Sequence, residues 1–280
     1  MNIDLRPSPI AGLWYEGDPK VLARTVDAYM DQAQLPELKG EVIAVVAPHA
    51  GHRYSGPVAG YAFAALRGLK PDLVAILSPY HNYHNAPFLT SAHNAYATPL
   101  GAVPIDQNCV DALDAALHSE LGFGLTRIAN DPEHSLEIEL PFIQRVLASE
   151  WKLLPVMVRS QEPRVSQTFG RELAKTLRDR NAILVASTDL SHYYDQKTAL
   201  ALDRGMLAQV EALNPKGAYD VDRSGEGYAC GLGALTAMMW AALDLGADTV
   251  KILKHATSGD VTGDYNAVVG YGAAAILKTH

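Results

Sequence analysis

Few of the features that announce a specialised protein class occur in this sequence. Only two cysteines, Cys109 and Cys230, occur in 280 residues. With no export signal ahead of them they argue against a disulfide framework and read as thiols. No block of Lys or Arg stands out and the formal net charge is -8, so the basic footprint of phosphate-backbone binding is missing and nucleic acid is not an expected ligand. The opening residues Met1 to Ser8 lack an apolar core behind a basic end, which predicts a cytoplasmic chain. The most apolar segment, Tyr228 to Leu243, is shorter than the roughly 20 residues of a bilayer span. It is also interrupted by Gly231, Gly233 and Thr236, so it reads as a buried helix and no membrane association is expected.

Several catalytic signatures are missing as well. Neither Ser55 nor Ser135 sits in a Gly-x-Ser-x-Gly elbow. No phosphate-binding Walker loop and no Gly-x-Gly-x-x-Gly follows the first buried strand. The acidic, turn-rich stretch Gly259 to Tyr265 lacks the ligand spacing of a calcium loop. No Ser/Gly-rich or charge-rich linker divides the chain, so residues 1-280 read as one domain.

What is present is an alternation of short apolar runs and longer amphipathic stretches, in a chain that is 48% hydrophobic and 19% charged. Strands are predicted at 42-47, 72-77, 153-158, 182-187, 250-256 and 267-273, with an edge hairpin within 88-104. Helices are predicted at 19-34, 57-69, 106-118, 163-180 and 198-211, from Tyr228 onward, and over 133-147 with a break near residue 137. The expected fold class is therefore α/β, a single-domain, sandwich-like arrangement of a central mixed sheet flanked by helices, the last two strands being antiparallel neighbours.

Three of these strands run into histidines: 42-47 into Pro48-His49, 72-77 into Pro79-Tyr80-His81, and 182-187 into Asp189 and His192. Polar residues beyond several parallel strand ends converge in space even when distant in sequence. His49 and His81 are the leading pair of metal ligands; the bland alternative is a turn histidine satisfied by backbone groups. Cys230, flanked by Gly227, Gly231 and Gly233 at a helix start, is the candidate third ligand, against the commoner fate of a free cysteine as a small buried hydrophobe. Asp189 and His192 read as a general acid/base pair in which the carboxylate orients the imidazole, or else as a helix cap. His134 lies beside Glu133 and Glu137.

The segments Arg6-Pro7-Ser8-Pro9-Ile10-Ala11-Gly12-Leu13-Trp14-Tyr15, Ala47-Pro48-His49-Ala50-Gly51, Tyr54-Ser55-Gly56, Glu133-His134-Ser135-Leu136-Glu137, Ser187-Thr188-Asp189-Leu190-Ser191-His192 and Thr257-Ser258-Gly259-Asp260 through Val269-Gly270-Tyr271 together resemble the Memo family, including its prokaryotic members described as protein B of the AmmeMemoRadiSam system. The resemblance spans nearly the whole chain. It implies a fold similar to class III extradiol dioxygenases of the LigB type, which hold non-haem Fe(II) with two histidines and a glutamate. On that pattern His49 and His81 match the two histidines, Cys230 stands in place of the carboxylate, and Asp189 and His192 match the remaining polar residues of the pocket. The chain departs from the pattern at His52, where a tyrosine is usual, and at Tyr80, where a small polar residue is expected. A thiolate in place of a carboxylate moves metal preference toward copper or zinc, with Fe(II) still the leading expectation for a single transition metal ion.

The function so implied is O2-dependent oxidation of a small substrate, aromatic in the ancestral version. His49, His81 and Cys230 hold the metal, His192 and Asp189 move the proton, and Trp14, His52, Tyr54, His134 and Tyr265 line the substrate pocket. The alternatives are a non-catalytic metal- or peptide-binding protein in redox signalling and, third, a metal-dependent hydrolase. A small molecule or peptide is the expected partner, with a functional link to AMMECR-type and radical-SAM proteins.

Overall fold

A computed structural model describes residues 4–280 of the chain. In chain order the elements are β1 (Leu5–Arg6), α1 (Pro19–Asp31), β2 (Glu41–Ala47), α2 (His52–Ala64), β3 (Leu73–Pro79), β4 (Phe88–Ser91), β5 (Ala95–Thr98), β6 (Gly101–Pro104), α3 (Gln107–Leu121), β7 (Leu125–Ile128), a 3-10 turn (Glu137–Glu139), α4 (Leu140–Val146), β8 (Lys152–Val158), α5 (Pro163–Leu177), β9 (Ala182–Ser187), β10 (His192–Tyr194), α6 (Gln196–Glu211), α7 (Pro215–Ser224), α8 (Leu232–Asp244), β11 (Thr249–Thr257), α9 (Gly259–Thr262) and β12 (Val268–Lys278). The α/β class expected from the sequence is the observed one.

Four parallel strands, in the order β2-β9-β3-β8, form the middle of a nine-stranded sheet. β12 pairs antiparallel with β2 and β11, and β4 pairs antiparallel with β8, so the sheet is mixed at both margins. β3 is buried along its whole length, which explains why the central strands read as continuous apolar runs rather than alternating ones. Helices cover both faces. Lys254 of β11 lies over the Tyr61 ring of α2 at 5.5 Å, while its neighbour His255 contacts Asp203 of α6 at 2.8 Å. Adjacent strand residues point to opposite faces, so α2 and α6 lie on opposite sides of the sheet. A separate three-stranded sheet joins β1, β5 and β6.

Differences from the expected elements have local causes. The helix predicted from Pro57 begins at His52, because the His52 backbone N–H, an orphan at a helix start, donates to the Trp14 carbonyl at 2.9 Å. Pro57 therefore lies inside α2 rather than at its first turn. The predicted helix over 133-147 forms only as the 3-10 turn and the short α4, with Pro141 in the first turn of α4. The apolar segment from Tyr228 becomes helical only at Leu232. Neither β7 nor α7 was expected from the sequence.

One buried cation organises the stretch between β7 and α4. Arg6 is 1% exposed, and its guanidinium pairs with the Asp131 carboxylate at 2.7 and 2.8 Å and with Glu137 at 2.6 Å, and donates to the Glu133 carbonyl at 2.7 Å. Tyr15 Oη donates to Glu137 at 2.7 Å, Ser8 bonds the same carboxylate oxygen, and the Tyr96 ring lies 4.7 Å from the guanidinium. Arg6→Met leaves Asp131 and Glu137 buried without their cation. We expect a loss of about 3–5 kcal/mol in equilibrium urea unfolding; a change under 1 kcal/mol would show that the network contributes little.

His52 is 4% exposed, wedged between Tyr15 and Phe142, with Nε2 2.9 Å from the Ile138 carbonyl. Burial lowers its pKa from 6.5 to about 4 despite that hydrogen bond. Unfolding lets the imidazole take up a proton between these values, so stability falls as pH drops from about 6.5 toward 4, by about 3 kcal/mol at the lower end. His52→Gln keeps a donor for Ile138 and removes this titration. Its stability, followed by urea unfolding across that range, should fall with a shallower slope; an unchanged slope would assign the acid sensitivity elsewhere.

Candidate metal centre

The parallel strands β2, β9 and β3 end side by side, and the residues just beyond them meet. Pro48 follows the last residue of β2 and Pro79 is the last residue of β3, and neither offers a ladder donor. His49 follows β2, His81 follows β3, and Ser187 ends β9 opposite Ala47. Cys230 arrives from the loop before α8. Gly231 makes that approach possible, since a Cβ there would stand 2.7 Å from the Ser187 carbonyl oxygen. Donor atoms of His49, His81 and Cys230 all lie within 4.8 Å of one another. The three residues expected from the sequence to hold a metal are therefore brought together.

Each histidine of the triad has its Nδ1 engaged by a residue outside the triad. His49 Nδ1 lies 2.9 Å from Ser187 Oγ, and its Nε2 lies 3.2 Å from Cys230 Sγ. His81 Nδ1 lies 2.9 Å from Glu133 Oε1, which leaves Nε2 as its free donor. Such partners on the far nitrogen set tautomer and ring orientation in metal-binding histidines. Glu133 also accepts from the backbone N–H groups of His81, His134 and Ser135, at 2.5, 2.8 and 3.0 Å. Burial opposes its ionisation, but the bonds from His134 and His81 outweigh this and hold the carboxyl well below its usual range. For His81, burial works against the charged form, and the Glu133 bond and charge overcome it and raise its pKa. His49 is driven the other way, by burial first and then by the neighbouring His81 and His134, all of which disfavour its charged form.

The other sequence-derived site residues divide. His134 joins the cluster, its ring stacked on His81 at 4.8 Å and edge-on to His49 at 5.5 Å, and Trp14 covers it at 4.1 Å. Asp189 and His192 flank the cluster but do not pair through their side chains. The Asp189 carboxylate accepts the backbone N–H groups of His49, at 2.7 Å, and Ala50, while His192 Nδ1 bonds the Leu190 carbonyl at 2.8 Å. The expected orientation of His192 by Asp189 is thus replaced by orientation through the main chain, because the strand ends turn Asp189 toward β2. Burial raises the Asp189 pKa to about 7, lowers that of His192, and with the Asp189 charge pushes the Cys230 thiol up.

His52 does not belong to this pocket: it is enclosed by Tyr15 and Phe142 and faces Ile138. Trp14 and Tyr54 line a groove of about 680 Å³ that also includes Ala50, Tyr193 and Tyr271. Tyr265 packs on Gly259 and is not among the residues lining that groove. Four residues built into the centre were not singled out from sequence: Arg6, Glu133, Ser187 and Glu139. A carboxylate immediately before His134 and a serine closing a buried strand were the only local signals. Glu139 lies fully buried between Ile138 and Leu140, with Oε1 2.8 Å from Ser187 Oγ. Cys109, inside α3, is buried, Cys230 is partly exposed, and neither thiol is tied up in a disulfide.

No helix of the described residues is long and apolar enough to cross a membrane. The family model described as Memo-like protein matches residues 6–275. A MEMO1 family protein of Thermotoga neapolitana is 36% identical over 287 residues, covering 98% of this chain and 100% of the relative. Similar proteins of the same description occur in Methanopyrus kandleri, 34% identical with 96% and 97% covered, and Nitrosopumilus maritimus, 31% identical with 96% and 98% covered. Among solved structures, an uncharacterized protein from Escherichia coli K12 aligns with a TM-score of 0.49 at 13% identity, over 83% of this chain and 99% of that one. With the family model spanning nearly its full length and relatives above 30% identity along it, the chain belongs to the Memo-like protein family.

Proposed function

We propose that the chain binds one transition metal ion through His49 Nε2, His81 Nε2 and Cys230 Sγ, and uses it in O2-dependent oxidation of a small aromatic substrate. The observation that carries this is the convergence of three donors within 4.8 Å, two of them imidazoles whose other nitrogen is already engaged. Two nitrogens and one sulfur suit Fe(II), copper or zinc rather than a hard cation, and three protein ligands leave positions open. A redox-active ion bound there supplies O2 chemistry; Fe(II) is the metal we favour. His192, its Nδ1–H donated to Leu190, presents Nε2 as a proton acceptor. Glu133 fixes His81 in both backbone and ring. The groove rimmed by Trp14, Tyr54 and Tyr193 offers aromatic walls beside the centre.

A peptide-binding or metal-storing protein is the competing reading, favoured by the exposed rings of Tyr54 and Tyr193 along the same open groove. Anaerobic titration with Fe(II), Cu(I) and Zn(II), followed by O2 uptake with a panel of catechols, separates the two. Binding of one equivalent with substrate-stimulated O2 uptake supports the oxidation; binding without uptake across the panel favours storage or peptide capture. His49→Ala and Cys230→Ala should each weaken metal binding by at least tenfold, and either variant binding like the wild type would remove that residue from the ligand set. His192→Ala should leave metal affinity within about twofold and lower any turnover about 10²-fold or more; unchanged turnover would end its assignment as the base.

A further inference from the structure

Two carboxyl groups stand behind the two histidines of the centre, and their surroundings differ. Glu133 is surrounded by N–H donors. Glu139 reaches His49 only through Ser187, whose Oγ lies 2.9 Å from His49 Nδ1, 2.6 Å from the Ser135 carbonyl oxygen and 2.8 Å from Glu139 Oε1. A serine hydroxyl has one proton to give and two lone pairs to receive with. The Ser135 carbonyl carries no proton, so at that separation it must accept the one that Ser187 gives. His49 and Glu139 then face the two lone pairs, and each must bring its own proton. We infer that Glu139 is kept as a neutral carboxylic acid that donates to Ser187, and that this chain of hydrogen bonds fixes His49 as the Nδ1–H tautomer with Nε2 free for the metal.

The ionised alternative fails the same accounting. A Glu139 carboxylate would take the Ser187 proton, leaving two oxygen lone pairs opposed at 2.6 Å between Ser187 and Ser135. Its Oε2, buried with no hydrogen-bond partner, would share a full negative charge with nothing to balance it. Complete burial and the nearby Asp189 charge both favour the neutral form, against the Ser187 bond. Glu139 is a positioning residue acting through Ser187. The centre is thereby asymmetric: His81 is backed by an anion and His49, through the accepting Ser187 hydroxyl, by a neutral acid. The same Glu→Gln change at the two positions must then have different consequences. At 133 it removes a charge and acceptor sites crowded by N–H groups; at 139 it exchanges one neutral donor for another.

Infrared spectroscopy of the metal-free protein at neutral pH tests the protonation state directly, since a carboxylic acid has a C=O stretch that a carboxylate lacks. We expect such a band in the wild type, lost in Glu139→Gln and retained in Asp189→Asn. No Glu139-dependent band overturns the inference. Should Glu139→Gln fail to fold, Ser187→Ala must shift that band by removing its hydrogen-bond partner, and an unmoved band overturns it equally. A second readout is Zn(II) affinity, which rests on the metal-site proposal as the spectroscopy does not. Glu139→Gln should bind within about twofold of the wild type, whereas Glu139→Leu and Glu133→Gln should each lose about tenfold or more. Glu139→Gln binding as weakly as Glu139→Leu refutes the neutral-donor role, and a protein that binds no Zn(II) but shows the band refutes only the metal site.

Discussion

The pairing of the Arg6 guanidinium with Asp131, Glu137 and the Glu133 carbonyl is the constraint on which the centre depends. A planar, permanently charged fork buried at 1% exposure tolerates few arrangements of its acceptors, so it dictates the course of residues 131-139. That stretch delivers Glu133 to His81, the Ser135 carbonyl and Glu139 to Ser187, and the Ile138 carbonyl to His52. It forms no regular helix over most of its length, so backbone hydrogen bonding alone could not hold it in place. The cost of burying one arginine and two acids is offset only because nearly every polar atom among them is matched.

Strand ends and this clamped segment contribute different things to the centre. β2, β3 and β9 supply position, since parallel pairing fixes the spacing of their carboxyl ends and places His49, His81 and Ser187 on a common rim. The clamped segment supplies orientation, by engaging the far nitrogen of His81 directly and that of His49 through Ser187. Cys230 is held between them: its backbone N–H donates to the Asp189 carbonyl at 3.1 Å and its sulfur accepts from the Asp189 N–H at 3.2 Å. With the donors oriented before any ligand arrives, little side-chain freedom is left to be lost on binding.

Electrostatics separates groups that look alike in the sequence. Glu133, Glu137 and Glu139 are all fully buried within seven residues, yet the first faces N–H donors and imidazoles, the second a guanidinium and two hydroxyls, and the third a single serine. Their neighbours, rather than their burial, separate an anion that anchors a histidine from an acid that stays protonated. The histidines divide in the same manner, His81 drawn toward protonation and His49 away from it.

The α/β class, the central strands and the triad of His49, His81 and Cys230 were legible from the amino acids alone, because buried parallel strands leave continuous apolar runs and because chemistry collects beyond their carboxyl ends. Of the helix predicted over 133-147, periodicity failed before α4, where an apolar spacing of three and four residues is shared by a helix and by this clamped, largely irregular segment. The exclusion of His52 from the pocket, the turning of Asp189 toward β2 rather than His192, and the recruitment of Glu133, Ser187 and Glu139 were decided only by the tertiary structure. Strand-end position is a local property that a run of residues can announce. The partner of a buried polar atom is chosen by packing between segments far apart in the chain, 131 residues in the case of Arg6 and Glu137, and no local pattern encodes it.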